Sequence, residues 1–98
     1  MSCRKAHGAT FNPFVVFLRD DFQFSGEARS WQSSPGYERW FCPQCGSRVF
    51  NTSKHEVEIG MGSFDDINVF TPEYEVWVVR REAWLPQLAI PQFAQDRY

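Results

Sequence analysis

The chain has 98 residues and a formal charge of −2, from 10 Lys and Arg against 12 Asp and Glu. That length predicts a single domain, 1–98, and the charge excludes a nucleic-acid clamp, which needs a basic stripe. With 43% hydrophobic, 17% aromatic and 22% charged residues, the composition excludes a disordered or fibrous chain. The longest apolar run, Phe14–Leu18, is far short of the roughly 20 residues that cross a bilayer, so no membrane partner is expected. Met1-Ser2-Cys3-Arg4-Lys5 leads into no apolar leader segment, and the expected location is the cytoplasm, where thiols stay reduced.

In chain order, a helical turn is expected over Arg4–His7, stopped by Gly8. Phe14–Leu18, rich in Val and Phe, predicts a strand, and Phe22-Gln23-Phe24 alternates in the same sense. Ser33-Ser34-Pro35-Gly36 is a turn cluster. Tyr37–Phe41 predicts a strand leading into a cysteine pair, and Arg48-Val49-Phe50 one leading out of it. Val57–Met61 alternates, as in a strand with one wet face. Asp65–Asn68 reads as a single helical turn, with Asp65 capping backbone amides. The continuous apolar run Val76–Val79 predicts a strand buried on both faces. Beyond Leu85, Pro86 and Pro91 favour an irregular tail. Short strands separated by regular turn clusters predict an all-β fold, a sandwich or open barrel.

The cysteines are three, Cys3, Cys42 and Cys45, an odd number that argues against a disulfide framework. Phe41-Cys42-Pro43-Gln44-Cys45-Gly46-Ser47 carries the sharpest chemistry. Two cysteines three apart on a tight turn aim both sulfurs at one ion, and Gly46 lets the backbone turn. This is a zinc knuckle, half of a tetrahedral site with Zn–S distances of about 2.3 Å. A redox pair is the competing reading, although no βαβ unit surrounds it. The sequence offers Cys3, His7 and His55 as further ligands.

Several motifs in order resemble the glutathione-dependent formaldehyde-activating enzyme (GFA) family. Cys3-Arg4-Lys5-Ala6-His7-Gly8 resembles the end of its C-x-C-x-x-C-R-K-x-x-G motif. Ser33-Ser34-Pro35-Gly36, Arg39, Phe41-Cys42 and Cys45-Gly46-Ser47 resemble its S-S-P-G-x-x-R-x-F-C-x-x-C-G-S block. Gly62-Ser63-Phe64-Asp65-Asp66, Trp77, Ala83-Trp84-Leu85 and Pro91-Gln92-Phe93 resemble its later positions. The resemblance implies an Mss4-like all-β zinc fold and a carbon–sulfur lyase, which joins glutathione and formaldehyde into S-(hydroxymethyl)glutathione or cleaves the adduct. It implies a structural zinc held by Cys42 and Cys45 with an earlier C-x-C, and a catalytic zinc for which Cys3 is the remaining ligand. On this reading the sequence begins inside the first motif, as a member lacking the N-terminal strands. It keeps two of four structural ligands and one of three catalytic ones, and catalysis by the 98-residue form is expected to be impaired. The alternative is a non-catalytic zinc- or thiol-binding β domain, or a glutathione carrier.

The remaining candidates follow from residue chemistry. Arg4 and Lys5 are expected to contact the carboxylates of glutathione. Cys3, beside these cations, is a candidate reactive thiolate. His7 is a candidate base or ligand, and His55 is expected at the surface. Trp77, Trp84 and Phe93 are expected in the core or on a pocket wall. Open sheet edges predict a homo-oligomer.

Overall fold

A computed structural model of the chain describes Lys5 and residues 8–97. Five strands, β1 (Phe14–Leu18), β2 (Arg29–Ser34), β3 (Tyr37–Phe41), β4 (Arg48–Thr52) and β5 (Glu56–Gly60), form one sheet in the order β1-β5-β4-β3-β2. Every neighbouring pair is antiparallel. The all-β expectation holds, with the strands gathered into a single sheet.

Local chemistry sets the hairpins. Pro35 and Gly36 turn β2 into β3, with Gly36 at φ +73, a conformation that costs glycine nothing. The Cys42–Ser47 loop joins β3 to β4. Ser53 shapes the turn into β5, its amide donating to the Glu56 carbonyl at 2.9 Å. β1 is earliest in the chain yet lies beside β5, the latest, with Phe14 opposite Gly60 and Leu18 opposite Glu56. The Met61 amide closes that end by donating to the Pro13 carbonyl at 3.0 Å.

Strand alternation gives the sheet two unlike faces. On one, Phe17, Val57 and Thr52 lie in a row, with Trp40 and Phe50 paired beside them. Phe50 is nearly buried and Val57 wholly so. Phe22 and Phe24 pack on Phe50 with ring centroids 4.8 and 5.1 Å away, and Trp40 stacks on it at 5.4 Å. Phe64 and Phe70 extend this layer beyond Phe17. The other face carries a row running Val16, Glu58, Asn51, Arg39, Trp31 from β1 to β2.

Several local expectations change. Phe22–Phe24 is extended coil that folds over the aromatic face. β2 was hidden by its composition, Arg-Ser-Trp-Gln-Ser-Ser, which is mostly exposed, as an edge strand permits. Asp65–Asn68 is a series of bends preceded by a 3-10 turn at Met61–Ser63, and no side chain caps that turn. Val76–Val79 does not form a strand. Trp77 takes a left-handed conformation at φ 55, Val78–Arg80 makes a 3-10 turn, and Val79 is 68% exposed. The run pairs with the C-terminal segment instead of the sheet, the Trp77 amide donating to the Gln95 carbonyl at 3.1 Å and the Val78 amide to the Phe93 carbonyl at 3.2 Å. Trp77 and Trp84 lie at the surface rather than in the core, while Phe93 meets Tyr74 edge to face at 6.0 Å. Lys5 is helical, and the rest of the turn expected over Arg4–His7 lies outside the described residues.

The C-terminal segment is held by a polar clasp. Glu75 pairs with Gln92 through backbone bonds, its amide donating to Pro91 and its carbonyl accepting from Phe93. The Glu75 carboxylate accepts from Arg81 at 3.2 Å, from Gln92 at 2.5 Å and from the Leu88 amide at 3.4 Å.

Candidate functional site

Two groups of chemically capable residues stand out, one in the β3–β4 connection and one on the polar face of the sheet. The first is the knuckle. The Cys42 amide donates to the Ser47 carbonyl and the Gly46 amide to the Cys42 carbonyl, each at 2.8 Å. Gly46 sits at φ +78, which closes the loop. Both cysteines are free thiols, Cys42 half-buried and Cys45 exposed. The Cys42 thiol lies below its ordinary value, first because the Cys45 amide donates to it, then because the Gln44 amide does, and then through its contact with the Cys45 thiol. Amide donors aimed at sulfur favour the thiolate, the form that binds metals and attacks electrophiles. This donor set suits a thiophilic ion and supplies two ligand positions. Among the described residues no three His, Cys, Asp or Glu side chains stand together as a metal cage.

The second group is the polar row on the opposite side of the β3–β4 hairpin's core face. The Arg39 side chain is 2% exposed and lies over the rings of Tyr37 at 5.2 Å and Trp31 at 5.9 Å. Arg48 donates to Asn51 Oδ1 at 2.9 Å, and Asn51 Nδ2 reaches Glu58 Oε1 at 3.5 Å. The Tyr37 hydroxyl donates to the same Oε1. Burial pushes the Glu58 carboxyl above its ordinary value and outweighs these hydrogen bonds and the positive charge of Arg39. Arg48, Asn51 and Glu58 border a cleft of about 240 Å³, closed on its other side by Pro13, Phe14 and the turn at Met61–Ser63.

Of the residues singled out from sequence, Cys42 and Cys45 come together as expected. Cys3, Arg4 and His7 lie outside the described residues, and Lys5 is exposed. His55 is exposed at the β4–β5 turn, and Asp65 and Asp66 are exposed as well. Glu58 and Asn51 were not found from sequence. Glu58 sits in an alternating strand at a position read as solvent-facing, and only strand register reveals that Asn51 stands directly opposite it.

The geometry defines an all-β domain with a thiol knuckle at the β3–β4 hairpin end and a half-buried acid, Glu58, on β5 opposite Asn51. Residues 1–80 match the family described as glutathione-dependent formaldehyde-activating enzyme, and the chain belongs to that family. No curated protein gives a match to the chain. The family points to glutathione-dependent, formaldehyde-activating function, with small-molecule thiol and aldehyde partners. Among the described residues, no helix is long and apolar enough to cross a membrane.

Proposed function

We propose that this chain is a zinc-dependent carbon–sulfur lyase that joins glutathione to formaldehyde or a related small aldehyde and cleaves the adduct. The observation that carries the reading is the Cys42–Cys45 knuckle, with its amide-stabilised sulfur, in a chain whose residues 1–80 match the family. Cys42 and Cys45 hold the structural ion together with ligands outside the described residues. Cys3 is assigned to the catalytic ion, and Arg4 and Lys5 to the carboxylates of glutathione. When bound, zinc supplies Lewis acidity that favours thiolate over thiol and stabilises a developing alkoxide. The chain's own contribution is to orient the sulfur ligands through the amides of Gln44 and Cys45. We place the reaction in the cytoplasm, where thiols stay reduced.

The test is zinc content by elemental analysis, together with the rate of S-(hydroxymethyl)glutathione formation and breakdown. Both are measured on the 98-residue chain, as purified and after loading with zinc. Bound zinc with turnover in either form supports the assignment; zinc-free protein without turnover in both overturns it. A second reading, a non-catalytic zinc- or thiol-binding domain, is favoured by the pair of sulfurs standing without a third donor among the described residues. Stoichiometric zinc with no turnover in either form selects it.

A further inference from the structure

The knuckle leaves the half-buried acid on β5 unexplained. Both hydrogen bonds to Glu58, from Tyr37 and from Asn51, end on Oε1. Among the described residues nothing bonds Oε2, and Glu58 lines the cleft. A carboxyl clamped through one oxygen presents the other in a fixed direction. The cleft is small, about 240 Å³, with Pro13, Phe14 and Met61 as its apolar side and Arg48, Asn51 and Glu58 as its polar side. That space suits a group of a few heavy atoms with one oxygen to be hydrogen-bonded. It adjoins the knuckle along the chain, since Arg48 directly follows Ser47, whose carbonyl accepts the Cys42 amide.

We propose that this cleft receives the oxygen of a small aldehyde or of its hemithioacetal, and that Glu58 Oε2 exchanges a proton with that oxygen. This rests on the carbon–sulfur lyase reading above and adds an acid–base residue to it. In the joining direction, the lone pair of the glutathione thiolate forms the C–S bond. The C=O π pair moves onto oxygen, and that oxygen takes the proton from Oε2. Glu58 then regains one proton from solvent, matching the one released when the thiol became thiolate. In cleavage, ionised Glu58 takes the hydroxyl proton, the C=O bond re-forms, and the C–S electron pair leaves with sulfur.

The surroundings suit this role. Burial in the sheet, aided by the like charge of Glu56 on the same strand, raises the Glu58 carboxyl above its ordinary value, while Tyr37, Asn51 and the Arg39 charge oppose the rise. An acid whose affinity for the proton is raised toward the working pH is the more effective donor. Asn51 is itself 7% exposed and anchored by Arg48, so the carboxyl has little freedom to turn.

Glu58→Gln tests the assignment, because its amide oxygen still accepts from Tyr37 and Asn51 while its NH2 group can donate a hydrogen bond but cannot transfer a proton. Loss of a positioned proton donor costs about 10²–10⁴-fold. We expect kcat for S-(hydroxymethyl)glutathione formation to fall at least about 100-fold in the active form of the chain, with KM for glutathione changed less than about threefold. Formamide, an unreactive molecule of the aldehyde's size, provides a readout independent of turnover. In the parent it should give saturable amide shifts at Asn51, Glu58, Met61 and Gly62, and move the infrared carboxyl band that Glu58→Gln removes. Full activity in Glu58→Gln overturns the proposal, as does formamide that leaves both the cleft amides and that band unmoved. If no form of the chain turns over, the lyase reading fails by itself. The formamide response then decides the cleft: saturation there supports a carbonyl site, and no response refutes it.

Discussion

Replacing Phe50 with alanine should remove the centre of the aromatic face. Phe50 is 8% exposed and meets three rings at centroid distances of 4.8, 5.1 and 5.4 Å. Truncating a buried Phe to Ala costs about 3–5 kcal/mol, through lost transfer energy and an unfilled cavity. Each ring pair adds about 0.5–1.5 kcal/mol beyond its buried area, which places Phe50 toward the upper part of that range. A small domain is stable by only about 5–15 kcal/mol, so the variant should retain a fraction of the parent's stability. With a urea dependence of about 2 kcal/mol per molar, a loss of about 4 kcal/mol moves the unfolding midpoint by roughly 2 M. Tryptophan fluorescence in a urea series reads this directly, since Trp40 stacks on Phe50. Trp84→Ala, at a residue 66% exposed, is the matched control and should cost no more than about 0.5 kcal/mol. A midpoint shift for Phe50→Ala no larger than that of Trp84→Ala would refute the assignment of this face as the core.

Three further outcomes follow from other parts of the molecule. The Glu58 carboxyl holds its proton more tightly in the folded chain than in the unfolded one. Its effect on stability is therefore most favourable below the ordinary carboxylate range, and it declines as pH rises through the raised folded value. Melting across a pH series should show a decline that Glu58→Gln flattens; an unchanged slope in the variant would locate the decline elsewhere. Cys42→Ser and Cys45→Ser should each lower bound zinc in the metal-loaded chain by at least about tenfold, because each removes a thiolate ligand. Equilibrium dialysis against a zinc indicator checks this, and undiminished affinity in both variants would remove the knuckle from the metal site. Finally, β1 and β2 are the two sheet edges among the described residues, and β1 is the apolar one. Pairing along β1 predicts a dimer by light scattering, whereas a monodisperse monomer across the micromolar range would count against it.

The sequence by itself determined features whose cause is local. The Val and Phe content of Phe14–Leu18 and the aromatic content of Tyr37–Phe41 marked β1 and β3 at their observed bounds. The knuckle was legible because C-P-x-C-G is its own turn, in which neighbouring amides and one glycine do the work. Tertiary structure decided everything that depends on a distant partner. Val76–Val79 has the composition of a buried strand, yet the amides of Trp77 and Val78 bond to the distant Gln95 and Phe93 carbonyls and the run turns into a 3-10 helix instead of joining the sheet. Arg29–Ser34 has the composition of a loop, yet the Pro35-Gly36 turn lays it against β3. Glu58 was the least legible residue. Its neighbours in the chain, Val57 and Ile59, identify the strand but say nothing of Asn51 or Tyr37, which reach it only once β3, β4 and β5 are paired in register. A carboxyl read as solvent-facing from its strand pattern has its proton affinity raised only when the paired strands partly shield it, and that shielding is a property of the sheet rather than of any one of its segments.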